Sequence, residues 1–230
     1  MQSNQKNFIT AKTIIRFIES DTKNQERKRN EQSDSEQATS VTDIVSTLKS
    51  LYDQIRDNNT CKQMIQIPKL LQSLIALACY KIRIHFNKDI DRQSLEVRSR
   101  SRHCLWYIQF YGDEQVQSEL VNIGFGRVMF ITFCTAGGVG EEQDVEISNG
   151  LIHISEFLAQ LHKGRNNFWQ SSFQPLPSLA RSTEEQVEEE GTSEELEAQM
   201  NNNVNSWNIK YQANDVKAAT LNRFINWRQI

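Results

Sequence analysis

The chain has 230 residues, and its 26 Lys plus Arg against 29 Asp plus Glu leave a net charge of −3, which excludes an overall basic footprint for nucleic acid. Only 3 Pro and 9 Gly are present, too few for the tight turns of a sandwich or barrel, so an all-α fold is expected. The 38% hydrophobic content lies above a disordered composition, and the longest apolar run, around Val128–Phe133, falls far short of the ~20 residues of a membrane helix.

Residues 1–40 read as an N-terminal arm ahead of a helical domain over 41–230. Phe8, Ala11, Ile14, Ile15 and Ile18 keep helical spacing and predict one short amphipathic helix. From Asp21 to Ser40 the chain is almost wholly polar, which predicts a flexible, solvated linker. The short helix is either the trailing edge of a further domain or a cap that folds back.

A helix begins at Ser40-Val-Thr42, with Ser40 or Thr42 as its cap and a stripe of Ile44, Val45, Leu48, Leu51, Tyr52 and Ile55. Asp57–Thr60 ends it. The next is expected from Ile67-Pro68, where proline suits the first turn, and it is apolar around most of its circumference, as a central helix is. After a polar stretch, Asn87–Gln93, a third helix is expected from Ser94 to Tyr111. Glu114–Asn122 follows as a short helix, Gly124 as a break, Phe125–Cys134 as an apolar helix, and Asp144–Lys163 as a long one beyond the loop Thr135–Gly140. Leu176-Pro177 opens a last group. Its acidic stretch from Ser182 to Asn202 carries two capping boxes, Ser182 with Glu185 and Thr192 with Glu195. A loop, Asn203–Asn214, then leads into a helix over Asp215–Trp227.

One kind of segment recurs. An aliphatic residue stands three places before an aromatic one at Ile108/Tyr111, Ile154/Phe157 and Leu221/Phe224, spaced 46 and then 67 residues apart. Each of the three central helices is entered through a breaker: Pro68, Gly124 or Pro177. Recurring helical cassettes suggest stacked repeats, in which no unit can bury its own face alone. Leu74, Leu77, Trp106, Ile108, Phe130, Ile154, Phe157, Leu221 and Phe224 are the expected core.

On Ile67-Pro-Lys-Leu-Leu71, Glu119-Leu-Val-Asn-Ile-Gly124 and Arg102-His-Cys-Leu-Trp106, the region from Val41 to Trp227 resembles an armadillo-type repeat, with HEAT-type helix pairs as a near neighbour. The resemblance implies a right-handed α-solenoid of about three repeats, no catalysis, and a groove along the closing helices that holds a peptide or a partner's surface. Nuclear-import members of the family set a Trp and, one turn later, an Asn along that groove. Here Phe110 follows Trp106, and Trp227 comes after Asn222 and Asn226, so nuclear-signal binding is not expected.

Other motifs have ordinary readings. Ile123-Gly-Phe-Gly-Arg-Val128 looks like a kinase glycine loop, but no strand lysine, HRD or DFG sequence follows. Thr135-Ala-Gly-Gly-Val-Gly140 lacks the GK[ST] ending of a phosphate loop and runs into Glu141 and Glu142. His85, His103, His153 and His162 form no metal-binding spacing, and no cofactor or metal is expected. Cys61, Cys79, Cys104 and Cys134 are widely separated, which fits reduced thiols in an intracellular protein, cytoplasmic or else nuclear. The N-terminus has no signal-peptide run. Arg92, Arg98, Arg100 and Arg102, with Lys81, Arg83 and Lys88, form either a solvated helix face or a patch for an acidic partner segment or phosphate groups. Eight glutamates between Ser182 and Glu197, with no basic residue among them, read as an exposed edge.

The sequence therefore suggests a non-catalytic scaffold or adaptor that binds another protein or an extended peptide. Its contacts are expected at outward positions of the closing helices: Arg98, Arg102, Gln109, Asn149, Glu156, Asn222 and Asn226. Two alternatives differ in class. One is the targeting segment of a larger enzyme, a kinase or ubiquitin ligase. The other is a nucleic-acid-binding helical repeat using Arg92–Arg102.

Overall fold

A computed structural model of the chain describes residues 2–29, 40–56, 58–82, 87–134, 144–201 and 208–225, with side chains for all of these but 2–6, 25–29, 58–59 and 221–225. Among the described residues there are eleven helices and no strand beyond one isolated bridge. No helix among them is long and apolar enough to cross a membrane. The helices gather into two compact units, divided along the chain between Gly112 and Asp113.

The first unit holds α1 (Gln2–Arg29), α2 (Val41–Ile55), α3 (Asn58–Ile65), α4 (Leu70–Ala78) and α5 (Lys88–Tyr111). α2 and α4 pack on α5, and α1 lies against α2 and α4. The expected short first helix is in fact long, because the Lys, Gln, Glu and Arg that follow Asp21 are good helix formers. Residues 30–39 of the expected linker lie outside the described residues. α1 turns Asn7, Thr10, Ala11, Ile14 and Phe17 inward, at successive turns of one face, while Phe8 stays exposed. Gln54 Nε2 donates to Thr10 Oγ1 at 3.2 Å, and Lys69 pairs with Glu19 at 2.7 Å.

Caps explain most of the boundaries. Ser40 Oγ accepts from the Thr42 N–H and starts α2. Asn87 Oδ1 accepts from the N–H groups of Asp89 and Ile90, and Asp89 and Asp91 suit the positive helix end. The polar stretch before Ser94 is therefore the opening of α5. Pro68 does not start a helix as expected. Ile67, ahead of the proline, disfavours helical backbone, and Lys69 adopts φ 68° before α4 begins at Leu70. α3 has no counterpart in the sequence reading.

The second unit holds α6 (Glu114–Asn122), α7 (Phe125–Ile131), α8 (Asp144–Lys163), α9 (Pro177–Glu188), α10 (Thr192–Met200) and α11 (Ile209–Ile225). α8 is its axis, packed by α7, α9 and α11, and α10 lies along α11. Phe125, Phe130, Phe133, Ile154 and Phe157 are fully buried, and the Phe125 and Phe157 rings meet edge to face at 4.8 Å. Gly124 has φ 82° and forms the expected break. Gly126 has no room for a side chain, since an added Cβ would lie 2.7 Å from Thr183 Cγ2, so its lack of one lets α7 and α9 approach closely.

The two capping boxes do not form. Pro177 opens α9 early enough to leave Ser182 inside it, and Gly191 stands at the cap of α10. The Thr192 hydroxyl instead donates back to the Val187 carbonyl. Among the expected core residues, Leu74, Leu77, Ile108, Phe130, Ile154 and Phe157 are buried, and Trp106 is half-buried. The side chains of Leu221 and Phe224 lie outside the described residues, as do the loop at 135–140, His85 and Trp227.

A candidate interaction loop

Between α8 and α9 the chain makes a compact excursion over residues 164–176. Gly164 ends α8 at φ 72°, with its N–H on the Gln160 carbonyl at 2.8 Å. A side chain is excluded there twice over. The left-handed backbone suits glycine, and an added Cβ would sit 2.7 Å from the Phe173 carbonyl oxygen. Arg165 and Phe173 then exchange both backbone hydrogen bonds, at 2.8 and 2.9 Å, and the Leu176 N–H reaches back to the Leu161 carbonyl at 2.7 Å. These bonds close the neck of the loop.

Arg165 braces the inside. It is buried, with Nε donating to the Ser171 carbonyl at 2.8 Å, Nη1 to Gln160 Oε1 at 3.0 Å, and its guanidinium 4.7 Å from the Phe173 ring centre. Burial pushes this guanidinium down to about 10, and the nearby Asp113 charge opposes the shift. It stays cationic at neutral pH.

Nearer the tip, Asn167 Oδ1 accepts from the Gln170 N–H at 3.0 Å, a side-chain bond that closes a turn around the two intervening residues. Those residues are Phe168, 100% exposed, and Trp169, 73% exposed, with ring centres 6.4 Å apart and nearly perpendicular planes. At the base, His162 Nε2 lies 2.8 Å from Glu184 Oε1 and ties the last turn of α8 to α9. Two large aromatic groups thus stand in water on a loop fixed from neck to tip.

The residues expected to bind from sequence lie elsewhere. Arg98 and Arg102 are buried on α5, not outward. Arg98 Nη1 donates to the Tyr80 carbonyl at 3.2 Å and Arg102 Nη1 to the Ala78 carbonyl at 3.5 Å. Both guanidiniums serve the carbonyl-rich end of α4, where a cation is favoured by the helix dipole. The solvated-face reading of this arginine stretch therefore fails for these two. Gln109 is also fully buried on α5. On α8, Asn149 is half-buried and Glu156 exposed. The Asn222 side chain and the whole of Asn226 lie outside the described residues. His103 is half-buried with Nδ1 3.1 Å from the Ser99 carbonyl oxygen, and His153 is buried.

Phe168 and Trp169 were absent from the expected site because they lie off every helical stripe. A signal was present: adjacent aromatics inside a stretch, Asn166 to Ala180, without one charged residue. No family model, curated protein or solved structure matches the chain.

Proposed function

We propose that the chain is a non-catalytic protein–protein interaction scaffold whose principal contact is the 164–176 loop. The observation that carries this reading is the exposure of Phe168 and Trp169 on a braced loop. Each such ring forgoes on the order of 3 kcal/mol of burial while it stands in water. Trp is over-represented among residues that dominate binding energy, and a rigid aromatic beside Asn, Gln and Ser is how paratopes combine anchoring with adaptable hydrogen bonding. The loop has that composition in Asn166, Asn167, Gln170, Ser171 and Ser172.

The armadillo-like solenoid is the fold we propose around it. Its support is local: α6, α7 and α8 follow the short, central and closing pattern, and the long helices α8 and α11 pack on each other as successive closing helices do. Glu156 is exposed on α8 and Asn149 is half-buried there. Cys61, Cys79, Cys104 and Cys134 are in no disulfide, which suits a reducing compartment, cytoplasm or nucleus. Burial of Arg98 and Arg102 withdraws two of the cations on which the nucleic-acid alternative rested.

The test is a paired pull-down from native extract with the wild-type chain and a Phe168→Ser/Trp169→Ser variant. Both residues are exposed, so the variant is expected to keep the wild-type melting temperature, with stability within about 0.5 kcal/mol. Loss of bound protein from the variant alone supports the reading. Equal recovery on both refutes it.

A further inference from the structure

Resting on the reading that the tip is the binding element, we infer that Arg165 is a positioning residue that holds Phe168 and Trp169 as a rigid pair, shaped for a preformed apolar socket on a folded protein. The guanidinium reaches three parts of the structure at once: Gln160 on α8, the Ser171 carbonyl on the returning limb, and the Phe173 ring. Only the planar fork of arginine serves these directions together, whereas lysine offers a compact charge. With the neck closed by the Arg165–Phe173 backbone pair and the tip turned by Asn167, little freedom remains between them. Association costs less when the presenting loop is already ordered, so the pair enters its site without a folding step.

A socket on a protein fits this surface better than a lipid bilayer. A bilayer interface takes up aromatic rings at the headgroup level without a shaped receptor, so a fixed pair gains little there. Stable attachment to a membrane also takes a second signal, commonly a basic patch on anionic lipid. The same unit instead exposes Glu188 and Glu194, which anionic headgroups repel, and its Glu185, Glu189, Glu190 and Glu197 pair with Arg181, Arg127 and Lys217, cations that a headgroup would need. The side chains flanking the tip are uncharged amides and hydroxyls, able to make directional hydrogen bonds around a pocket rim.

The experiment places a photo-crosslinking benzoylphenylalanine at exposed Ser172 of the full chain, irradiated in native extract, with untagged chains added as competitors. Wild type is expected to suppress one adduct saturably, and Trp169→Ser to leave it untouched. Arg165→Lys and Arg165→Ala should compete about tenfold more weakly, as loss of two hydrogen bonds and a fixed geometry implies. Amide exchange of residues 166–173 should quicken about tenfold in both, while their helical circular dichroism is unchanged. Gln160→Ala removes one of the braces and should give an intermediate loss, which keeps the test valid if the arginine variants misfold.

Full competition by Arg165→Ala overturns the positioning role while leaving the interaction reading intact. Full competition by Trp169→Ser overturns the interaction reading itself. Absence of any competable adduct, self-crosslinking of the chain alone, or tip-dependent binding to phosphatidylcholine–phosphatidylserine vesicles overturns the protein socket.

Discussion

Gly126 offers a sharp test of how α7 meets α9. A Cβ added there would lie 2.7 Å from Thr183 Cγ2 and 3.4 Å from Val187 Cγ2. Thr183 is fully buried, and its hydroxyl donates to the Leu179 carbonyl at 2.9 Å, so it cannot rotate its methyl away without losing that bond. Gly126→Ala gains about 1 kcal/mol of helix propensity but meets an overpacking cost of roughly 1–3 kcal/mol. The expected net is about 1 kcal/mol of destabilisation. Thr183→Ser keeps the hydroxyl, deletes the offending methyl and alone costs about 1 kcal/mol of lost burial. In the double variant the new methyl occupies the vacated space, so its stability should return to within about 0.5 kcal/mol of wild type. The coupling is then about 2 kcal/mol, a value expected only of touching residues. Urea unfolding, with amide exchange read on α7 and α9 peptides to assign the transition to the second unit, measures it. If Gly126→Ala stabilises by the full propensity gain, or if the two changes simply add, the close helix approach is wrong.

Other consequences follow from burial. Arg98→Ala is expected to destabilise the first unit by about 1–3 kcal/mol, since it leaves the Tyr80 carbonyl without this donor; a thermal shift near zero would return Arg98 to the surface. Cys104 is fully buried, burial pushes its thiol well above the usual range, and Arg100 opposes this only in part; Cys61 is equally enclosed. An aromatic disulfide reagent should therefore label half-buried Cys79 and Cys134 first, with Cys61 and Cys104 reacting only as fast as the unit opens, and equal rates for all four would refute it. Burial, aided by the Asp21 charge, raises the Tyr80 phenol from 10.0 to about 12, so the folded state favours its protonated form. That contribution is fully present below pH ~10 and is lost as pH rises towards 12, where the unfolded chain ionises first. Tyr80→Phe should flatten the alkaline loss of stability in that window, and an unchanged pH profile would place the phenol in water.

Helix existence was readable wherever apolar spacing and caps agreed. Glu114–Asn122 and Asp144–Lys163 are found at the expected residues. Disagreement arose where polar residues are buried or where two local signals compete. The inward face of α5 mixes Val97, Leu105 and Ile108 with Ser94, Arg98, Ser101, Arg102 and Gln109. A polarity pattern places arginine outward, but the carbonyl end of α4 supplies partners that only tertiary structure reveals. α3 was missed because Asn58 and Asn59 read as a break, although Cys61, Met64 and Ile65 bury one of its faces. Ser182 and Thr192 satisfy a local capping rule, yet where the chain enters each helix is decided by Pro177 and Gly191.

Part of the aromatic tip is legible in the residues themselves. Successive residues on a helix point about 100° apart, and on a strand they point to opposite faces. On a strand Phe168 and Trp169 would therefore point to opposite faces, and on a helix both could share one stripe only with apolar residues recurring around them at helical spacing. An interior strand needs apolar neighbours on both sides and a helix stripe needs them one turn away, and Asn166, Asn167, Gln170, Ser171 and Ser172 argue against each. What remains is a loop bounded by Gly164 and by the two prolines Pro175 and Pro177, and the structure leaves both its rings in water. The sequence could not foretell that both rings would be held rigidly. That depends on Arg165 turning inward to meet Gln160, Ser171 and Phe173, and each of those contacts spans only five to eight positions. The brace is local in sequence but sits within the closed neck, which ties the geometry of the tip to the packing of α8 against α9.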